Sequence, residues 1–249
     1  MRNIIVGNWK MNPLTIEEAR ALFASIKKQL KINKDVEVVI CPPFVYLVEL
    51  GKIGNRKINL GAQNSFWEEK GAFTGEISPK ILQNLGCRYV ILGHSERRSI
   101  LEETDEIVLK KLKLVLKFNL APILCIGEKK EERKKGTTFE VLKKQLRNTI
   151  AKIPNSKLLN IIIAYEPLWA IGTGDNCPSG EAMTVLMFIK KQIMEMSSRQ
   201  KTERMKILYG GSVDSKNAKN YMDAGFHGLL VGGSSLKPGE FSLIVKKCS

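Results

Sequence analysis

Three aliphatic runs of the sequence are each followed by side chains that could carry out acid–base chemistry. Asn8 and Lys10 follow the first run, and because they are two positions apart in an extended segment they face the same way. His94 and Glu166 follow two later runs. A carboxylate, an imidazole and an ammonium group are together able to move a proton and to stabilise the anion that forms.

The local sequence indicates the state of two of these groups. Glu166 follows a buried run and is expected to be partly desolvated, which suits a general base. The polar run after His94 indicates a helix start, whose amides favour a neutral imidazole that donates one N–H and accepts on its other nitrogen. The second histidine, His227, opens the last aliphatic run and is interpreted as structural.

Two glycine-rich turns follow the last two aliphatic runs, and they predict a phosphate-binding cradle. Glycine lets backbone N–H groups approach an anion closely, and the start of a helix favours negative charge. The turns are Gly210-Gly211-Ser212-Val213 and Gly232-Gly233-Ser234-Ser235.

The stretch after Glu166 is apolar and lies between a proline and a pair of glycines. Apolar cover, backbone amides without side chains and ends that can pivot are the properties of an active-site lid. The residues of this predicted lid include Pro167, Trp169, Gly172 and Gly174.

These residues must be positioned by an alternation of strands and helices. Most aliphatic runs are continuous, which is typical of parallel strands buried on both faces. The predicted strands are Asn3–Val6, Glu37–Cys41, Lys57–Gly61, Tyr89–Leu92, Ala121–Ile126, Asn160–Ala164, Lys206–Tyr209 and His227–Val231. The predicted helices are Thr15–Leu30, Val45–Leu50, Ile81–Asn84, Thr104–Leu116, Thr138–Ile153, Ser179–Met196, Asp214–Asp223 and Glu240–Lys246.

Eight such alternations in 249 residues predict an α/β fold, the (β/α)8 TIM barrel, as a single domain over residues 1–249. A doubly wound open sheet is the rival, but it requires a glycine fingerprint after an early strand, and Val6–Lys10 is not one. In a barrel the carboxyl ends of all strands meet at one face, so the candidate residues would share one site.

Composition excludes several classes of protein. The apolar fraction of 43% and the charged fraction of 26% are ordinary for a globular chain. No apolar stretch reaches the roughly 18 residues of a membrane span, and the N-terminus lacks the apolar core of a secretory signal. Five scattered cysteines without metal-ligand spacing predict reduced thiols in a cytoplasmic protein and no metal site.

The formal net charge of +15 is the one compositional feature that suggests nucleic acid as a partner. The basic residues lie on helical patterns or in runs of mixed sign, and no such run is interleaved with aromatic side chains that could stack on bases. We therefore expect a solvated surface and no nucleic-acid partner. The same field would speed the association of a small anionic substrate.

Taken together, the motifs resemble those of the triosephosphate isomerase family over essentially the whole chain. Seven matching stretches occur in the family's order, which makes the resemblance specific. They are Gly7–Asn12, Gly61–Asn64, Gly71–Glu76, Ile91–Arg98, Ala164–Pro167 with Trp169–Gly174, Tyr209–Val213 and Val231–Gly233.

The resemblance implies interconversion of dihydroxyacetone phosphate and glyceraldehyde 3-phosphate without cofactor or metal. It implies that Glu166 is the base and His94 the electrophile and proton shuttle, the family being a standard example of a carboxylate paired with a neutral histidine. Lys10 would stabilise the enediolate and the phosphate, Asn8 would bind a substrate oxygen, and Glu96 would hold the surroundings of Lys10 in place. The implied phosphate donors are the backbones of Gly172, Ser212, Gly232 and Gly233.

The resemblance further implies a homodimer formed through the loop 63–78, with Thr74 approaching the active site of the partner, and closure of the lid over Pro167–Cys177. The sequence departs from the family's pattern at the lid and the cradle. Leu168 stands where valine is usual, Asp175-Asn176-Cys177 replaces a basic far hinge, and Ser234 replaces alanine. These departures affect the lid rather than the groups that transfer protons.

Two alternative functions remain at this point. A different phosphosugar isomerase or epimerase on the same barrel would explain the glycine turns but not the histidine and lid stretches. A basic scaffold without catalytic activity that binds acidic partners would explain the charge of +15 but not the residues at the strand ends.

Overall fold

Eight parallel strands form a closed barrel in a computed structural model, which describes residues 2–30, 35–53, 58–170 and 176–249. Neighbouring strands follow chain order, and β1 pairs with β8, so the predicted fold class is confirmed. The strands are β1 (Asn3–Asn8), β2 (Val36–Cys41), β3 (Ile58–Ala62), β4 (Tyr89–Leu92), β5 (Ala121–Ile126), β6 (Ile162–Tyr165), β7 (Ile207–Tyr209) and β8 (Gly228–Val231).

The helices connect successive strands. They are α1 (Ile16–Gln29), α2 (Leu47–Ile53), α3 (Pro79–Asn84), α4 (Ser95–Ile100), α5 (Asp105–Lys117), α6 (Lys130–Lys134), α7 (Thr138–Asn148), α8 (Ser179–Met196), α9 (Arg199–Arg204), α10 (Ala218–Asp223) and α11 (Pro238–Lys247). Each predicted helix overlaps an observed one. The sequence patterns did not predict α6 and α9, because helices of 5 and 6 residues show less than two turns of periodicity. None of the helices in the described ranges is long and apolar enough to cross a membrane.

Local hydrogen bonds explain where predicted and observed boundaries differ. β6 begins at Ile162 rather than Asn160, because Leu158–Asn160 forms a 3-10 turn. α10 begins at Ala218 rather than Asp214, because the Asp214 carboxylate accepts hydrogen bonds from two following amides and forms a turn ahead of the helix. The predicted strand residue Lys57 lies outside the described residues.

Both faces of the barrel strands are buried in apolar surroundings. Inward-facing side chains include those of Ile4, Val6 and Ile91, which pack together inside the barrel. Their neighbours along the chain, such as Ile5 and Val90, belong to a second cluster that includes the apolar faces of the helices. Because both faces are buried, the sequences of the strands are continuous aliphatic runs.

His227 lies just before β8, at the opposite end of the barrel from the other candidate residues, as the sequence predicted. Its Nδ1 accepts a hydrogen bond from Ile207 N–H (3.1 Å). Burial, reinforced by the nearby Lys190 cation, lowers its pKa to about 4. The unfolded chain, in which a histidine has a pKa of about 6.5, therefore binds a proton more readily than the folded chain does.

We expect stability to fall as the pH decreases from about 6.5 towards about 4, because protonation of His227 favours the unfolded chain. The free energy of unfolding should decrease by about 2 kcal/mol, allowing for solvent screening of a partly exposed ring. Urea unfolding at neutral and acidic pH, at fixed protein concentration, measures this loss in the wild type and in His227→Gln. Identical pH dependence in the two proteins would contradict the assignment.

Candidate active site

Seven of the predicted site residues line one cavity at the carboxyl ends of the strands. Its volume is about 170 Å³. An adjoining cavity is lined by Glu96. The two cavities share side chains from the ends of β1 and β4. The structure therefore brings together residues from the ends of strands that are far apart in the sequence. The seven residues are Asn8, Lys10, His94, Glu166, Ser212, Gly232 and Gly233.

Glu166 follows β6 directly, and its side chain is in contact with the start of α4. It is 1% exposed. One carboxylate oxygen, Oε2, accepts a hydrogen bond from Ser95 N–H (2.9 Å), and Oε1 lies 3.1 Å from His94 Nε2. Gly210 at the end of β7 allows this arrangement, since a Cβ on that residue would lie 2.9 Å from Glu166 Cγ.

His94 caps α4, and its two ring nitrogens have different roles. Nδ1 accepts a hydrogen bond from Glu96 N–H (3.3 Å), so it carries no proton. The ring proton is therefore assigned to Nε2, which faces Glu166 and the cavity. The sequence predicted an imidazole that accepts on one nitrogen and donates from the other to a substrate oxygen; the contact of Nε2 with Glu166 was not predicted.

Lys10 is held by contacts on both its backbone and its side chain. Nζ lies 2.5 Å from Glu96 Oε1. The Gln63 side chain donates to the Lys10 carbonyl (2.7 Å), and Asn8 Oδ1 accepts from Lys10 N–H (3.0 Å). The backbone of Lys10 has φ of 54°, a left-handed conformation that costs energy for this residue type. The ammonium group is thus fixed between the histidine and the glycine turns, since a Cβ on Gly232 would lie 3.2 Å from Lys10 Cε.

The two glycine turns are linked to each other and to the predicted lid. Ser234 Oγ donates to the Val213 carbonyl (2.6 Å), a bond that alanine at this position could not make. Ser212 N–H donates to the Ala170 carbonyl (3.2 Å), so this amide is occupied in the conformation described. Gly233 begins a 3-10 turn, whose first amides have no partner within the turn.

Glu128, which the sequence analysis missed, anchors the near end of the predicted lid. It is fully buried, and its Oε1 accepts from Trp169 Nε1 (2.8 Å) and from the Tyr165 hydroxyl (3.2 Å). Burial raises the pKa of the Glu128 carboxyl, and these two donors oppose that rise. The Arg133 guanidinium lies 3.8 Å from the centroid of the Trp169 ring. The available signal was the position of Glu128 shortly after β5, since carboxylates at strand ends are candidates in this fold.

The far end of the lid is only partly described. Gly172 and Gly174 of the predicted lid, and Asp175 of the far hinge, lie outside the described residues. Cys177 is 1% exposed, and burial raises the pKa of its thiol to about 12. Its carbonyl accepts from the Tyr221 hydroxyl (2.8 Å), which fixes the chain at the end of this segment. A thiol in these surroundings is poorly reactive, so Cys177 is a packing residue in this conformation.

Within the described ranges, no three or more His, Cys, Asp or Glu side chains come together in a way that could hold a metal ion. The groups that line the cavity are instead suited to proton transfer and anion binding: a carboxylate touching a neutral imidazole, a fixed ammonium group and backbone amides.

The chain as a whole is similar to known proteins. The family model described as triosephosphate isomerase matches residues 3–248. A triosephosphate isomerase of Alkaliphilus oremlandii (strain OhILAs) is 48% identical over 244 residues, which cover 97% of this chain and 98% of the relative. Those of Dictyoglomus turgidum and Clostridium tetani are each 44% identical, covering 98% and 97% of this chain and 99% and 95% of the relatives.

Proposed function

Because the chain belongs to the triosephosphate isomerase family, we propose that the residues around its cavity carry out the family's reaction in the roles set out by their contacts. The enzyme interconverts dihydroxyacetone phosphate and D-glyceraldehyde 3-phosphate, an aldose–ketose isomerisation. The observation that carries the assignment of roles is the contact of 3.1 Å between His94 Nε2 and Glu166 Oε1.

Glu166 moves the proton between carbon atoms. Its carboxylate removes a proton from C1 of the ketone, which leaves an enediolate, and returns that proton to C2 to give the aldehyde. In the conformation described, Oε2 is hydrogen-bonded to Ser95 N–H, so the carboxylate must leave this donor before it can reach a substrate carbon. Burial keeps bulk water away from the carboxylate until then.

His94 moves the proton between the two oxygens. Its Nε2–H donates to the oxygen on C2 as the enediolate forms, and the same nitrogen then takes the proton from the oxygen on C1. The bond from Glu96 N–H to Nδ1 keeps Nδ1 unprotonated, so Nε2 is the nitrogen that gives and takes the proton. A neutral imidazole that acts as the electrophile is the arrangement known for this family.

Lys10 and the glycine turns bind the anionic parts of the substrate. The Lys10 ammonium stabilises both the developing oxyanion and the phosphate, and the Asn8 side chain donates to a substrate oxygen. Ser212, Gly232 and Gly233 donate backbone N–H groups to the phosphate. Ser212 must first release the Ala170 carbonyl, so phosphate binding and movement of the lid are coupled. With Gly172 as a further donor, the closed lid excludes water and hinders loss of phosphate from the enediolate.

A coupled assay tests these roles directly. Glyceraldehyde 3-phosphate is supplied, and dihydroxyacetone phosphate is detected as NADH consumption by an added dehydrogenase. Fast turnover in the wild type that is lost in Glu166→Gln supports the assignment. Turnover of pentose phosphates but not of triose phosphate would instead favour a different phosphosugar enzyme.

We also propose that the chain forms a homodimer through the loop 63–78. A groove of about 260 Å³ beside the active site has an apolar wall that includes Met11, which is 86% exposed in the single chain. The loop carries Phe73, which is 42% exposed, next to the exposed Thr74. Exposed apolar surface of this kind is typical of an interface. Since Asn8, Lys10 and His94 line the same groove, Thr74 of a partner would approach them.

Replacing Phe73 with aspartate is expected to weaken this dimer. A buried aromatic anchor at an interface contributes about 2 kcal/mol or more, so the dissociation constant should rise about 30-fold or more. Sedimentation equilibrium would show a shift from twice 28.0 kDa towards 28.0 kDa. The matched control is Phe139→Asp, since Phe139 on α7 is 38% exposed but lies outside the loop. Equal effects of the two substitutions would contradict the proposed interface.

The proposed location is the cytoplasm. The five cysteines are all free thiols, a state favoured in reducing compartments. Fractionation of cells that produce the protein, with detection by antibody, would test this location.

A further inference from the structure

A second cavity lies at the end of the barrel opposite the active site. Its volume is about 740 Å³, more than four times the 170 Å³ of the catalytic cavity. The residues that open β4, β5 and β6 line it, namely Tyr89, Ala121 and Ile162, and Lys206 just before β7 completes this set. Nothing in the proposed mechanism uses these residues.

The polar part of this cavity is basic. Arg204 and Lys206 line it together with the amide side chains of Asn119 and Asn160, and none of the described residues that line it is an aspartate or glutamate. No carboxylate of the described residues lies within 4.0 Å of the Arg204 guanidinium. The cavity is therefore a concave surface with cationic and amide donors and no acidic lining residue.

The acidic partner of Lys206 is Glu37, which makes its short hydrogen bonds to other residues and only a long ion pair to Lys206. Lys206 Nζ lies 3.8 Å from Glu37 Oε2, outside hydrogen-bond distance. The other oxygen of Glu37 accepts from the Tyr89 hydroxyl (2.6 Å) and from Asn59 Nδ2 (2.9 Å). Partial burial of Lys206 lowers its pKa, which means that its charge is incompletely compensated. An added anion in the cavity would supply that compensation.

The rest of the wall is apolar, with Leu120, Leu159, Ile161 and Ile162 contributing side chains or backbone. A ligand that fits must combine an anionic group with an apolar body. The volume lies within the range of about 300–1,000 Å³ of small-molecule sites. Arginine binds phosphate through two parallel N–H bonds, and lysine adds a point charge.

We propose that this cavity is a binding site for an organic phosphate of nucleotide size, separate from the active site. The phosphate contacts Arg204 and Lys206, and the base or other apolar body lies against Leu120 and Leu159. The catalytic cavity of about 170 Å³ is too small for such a molecule. The site does not depend on the roles assigned to the catalytic residues.

Equilibrium dialysis with ADP tests the proposal on the intact protein. ADP bound in the catalytic cavity would compete with the triose phosphate, so turnover is also measured with ADP present. The variant is Arg204→Glu, and the matched control is Lys113→Glu, an equal change of charge at an exposed position on α5. Triose phosphate turnover, measured on every protein, reports that the fold is intact.

We expect one ADP to bind per chain with a dissociation constant below about 1 mM, and Arg204→Glu to raise it at least about tenfold. The Lys113→Glu variant should bind within about twofold of the wild type, and pyrophosphate, which lacks the apolar body, should bind more weakly than ADP. Absence of ADP binding, or equal losses in the two variants, would overturn the proposal. Arg204 also lies in the last turn of α9 and stabilises that helix terminus. If Arg204→Glu lowered the stability of the protein but left ADP binding unchanged, the proposal would be overturned as well.

Discussion

Glu166→Gln is expected to lower kcat for triose phosphate by about 10³-fold or more, because the amide cannot accept the proton that leaves carbon. KM should change little, since the amide is nearly isosteric with the carboxylate. Its Oε1 can still accept from Ser95 N–H, the bond that the carboxylate makes at 2.9 Å. The measurement is steady-state kinetics in the coupled assay, with both substrates.

Glu166→Asp changes the position of the carboxylate base but not its chemical type. Aspartate retains the carboxylate but withdraws it by one methylene. Because a misplacement of about 1 Å can lower the reaction rate 10²-fold, about 2–4 kcal/mol of transition-state stabilisation should be lost. Gly210 leaves space around the side chain, so the shorter residue should be tolerated by the fold. Glu106→Gln, an exposed carboxylate on α5, is the matched control and should retain full activity. Near-normal turnover in either Glu166 variant would exclude it as the base.

Lys10→Met is expected to lower kcat/KM by about 10³-fold, through both a lower kcat and a higher KM. A single donor to a developing oxyanion contributes about 10²–10³-fold, and a full cation that also binds the phosphate should reach the upper end of that range. The substitution retains the length and much of the volume of the side chain. It removes the ammonium that lies 2.5 Å from Glu96 Oε1 and leaves that carboxylate without its ion pair.

The unpaired carboxylate makes a second variant necessary. Glu96 is partly exposed, so water can solvate it when Lys10 is replaced. If loss of the ion pair were the cause, Glu96→Gln would match Lys10→Met in its effect on kcat/KM. We expect a much smaller effect, because Glu96 positions Lys10 and does not touch the substrate. Lys113→Met on the exposed face of α5 controls for general loss of positive charge. Equal kinetics in Lys10→Met and Lys113→Met would exclude an electrostatic role for Lys10.

The sequence by itself determined the architecture and the identity of the main candidate residues. Continuous aliphatic runs such as Tyr89–Leu92 predict parallel strands, because both faces of such strands must be buried. The barrel brings the residues after each strand to one face, so the sequence alone predicts that His94 and Glu166 lie in the same site. In the same local way, the predicted start of the first helix at Thr15 agrees with α1, because Thr15 and Glu18 form a capping box there.

Only the tertiary structure decided which groups touch and in what state. Ser95 N–H and Glu166 Oε2 are 71 residues apart, and Gln63 and the Lys10 carbonyl are 53 apart. The contact of Glu128 with Trp169 likewise crosses between two strand ends. No periodicity or capping rule extends over such separations, because these contacts depend on how the closed barrel aligns its loops. The tautomer of His94, the occupied amide of Ser212 and the basic cavity beneath the barrel therefore became visible only in the folded chain.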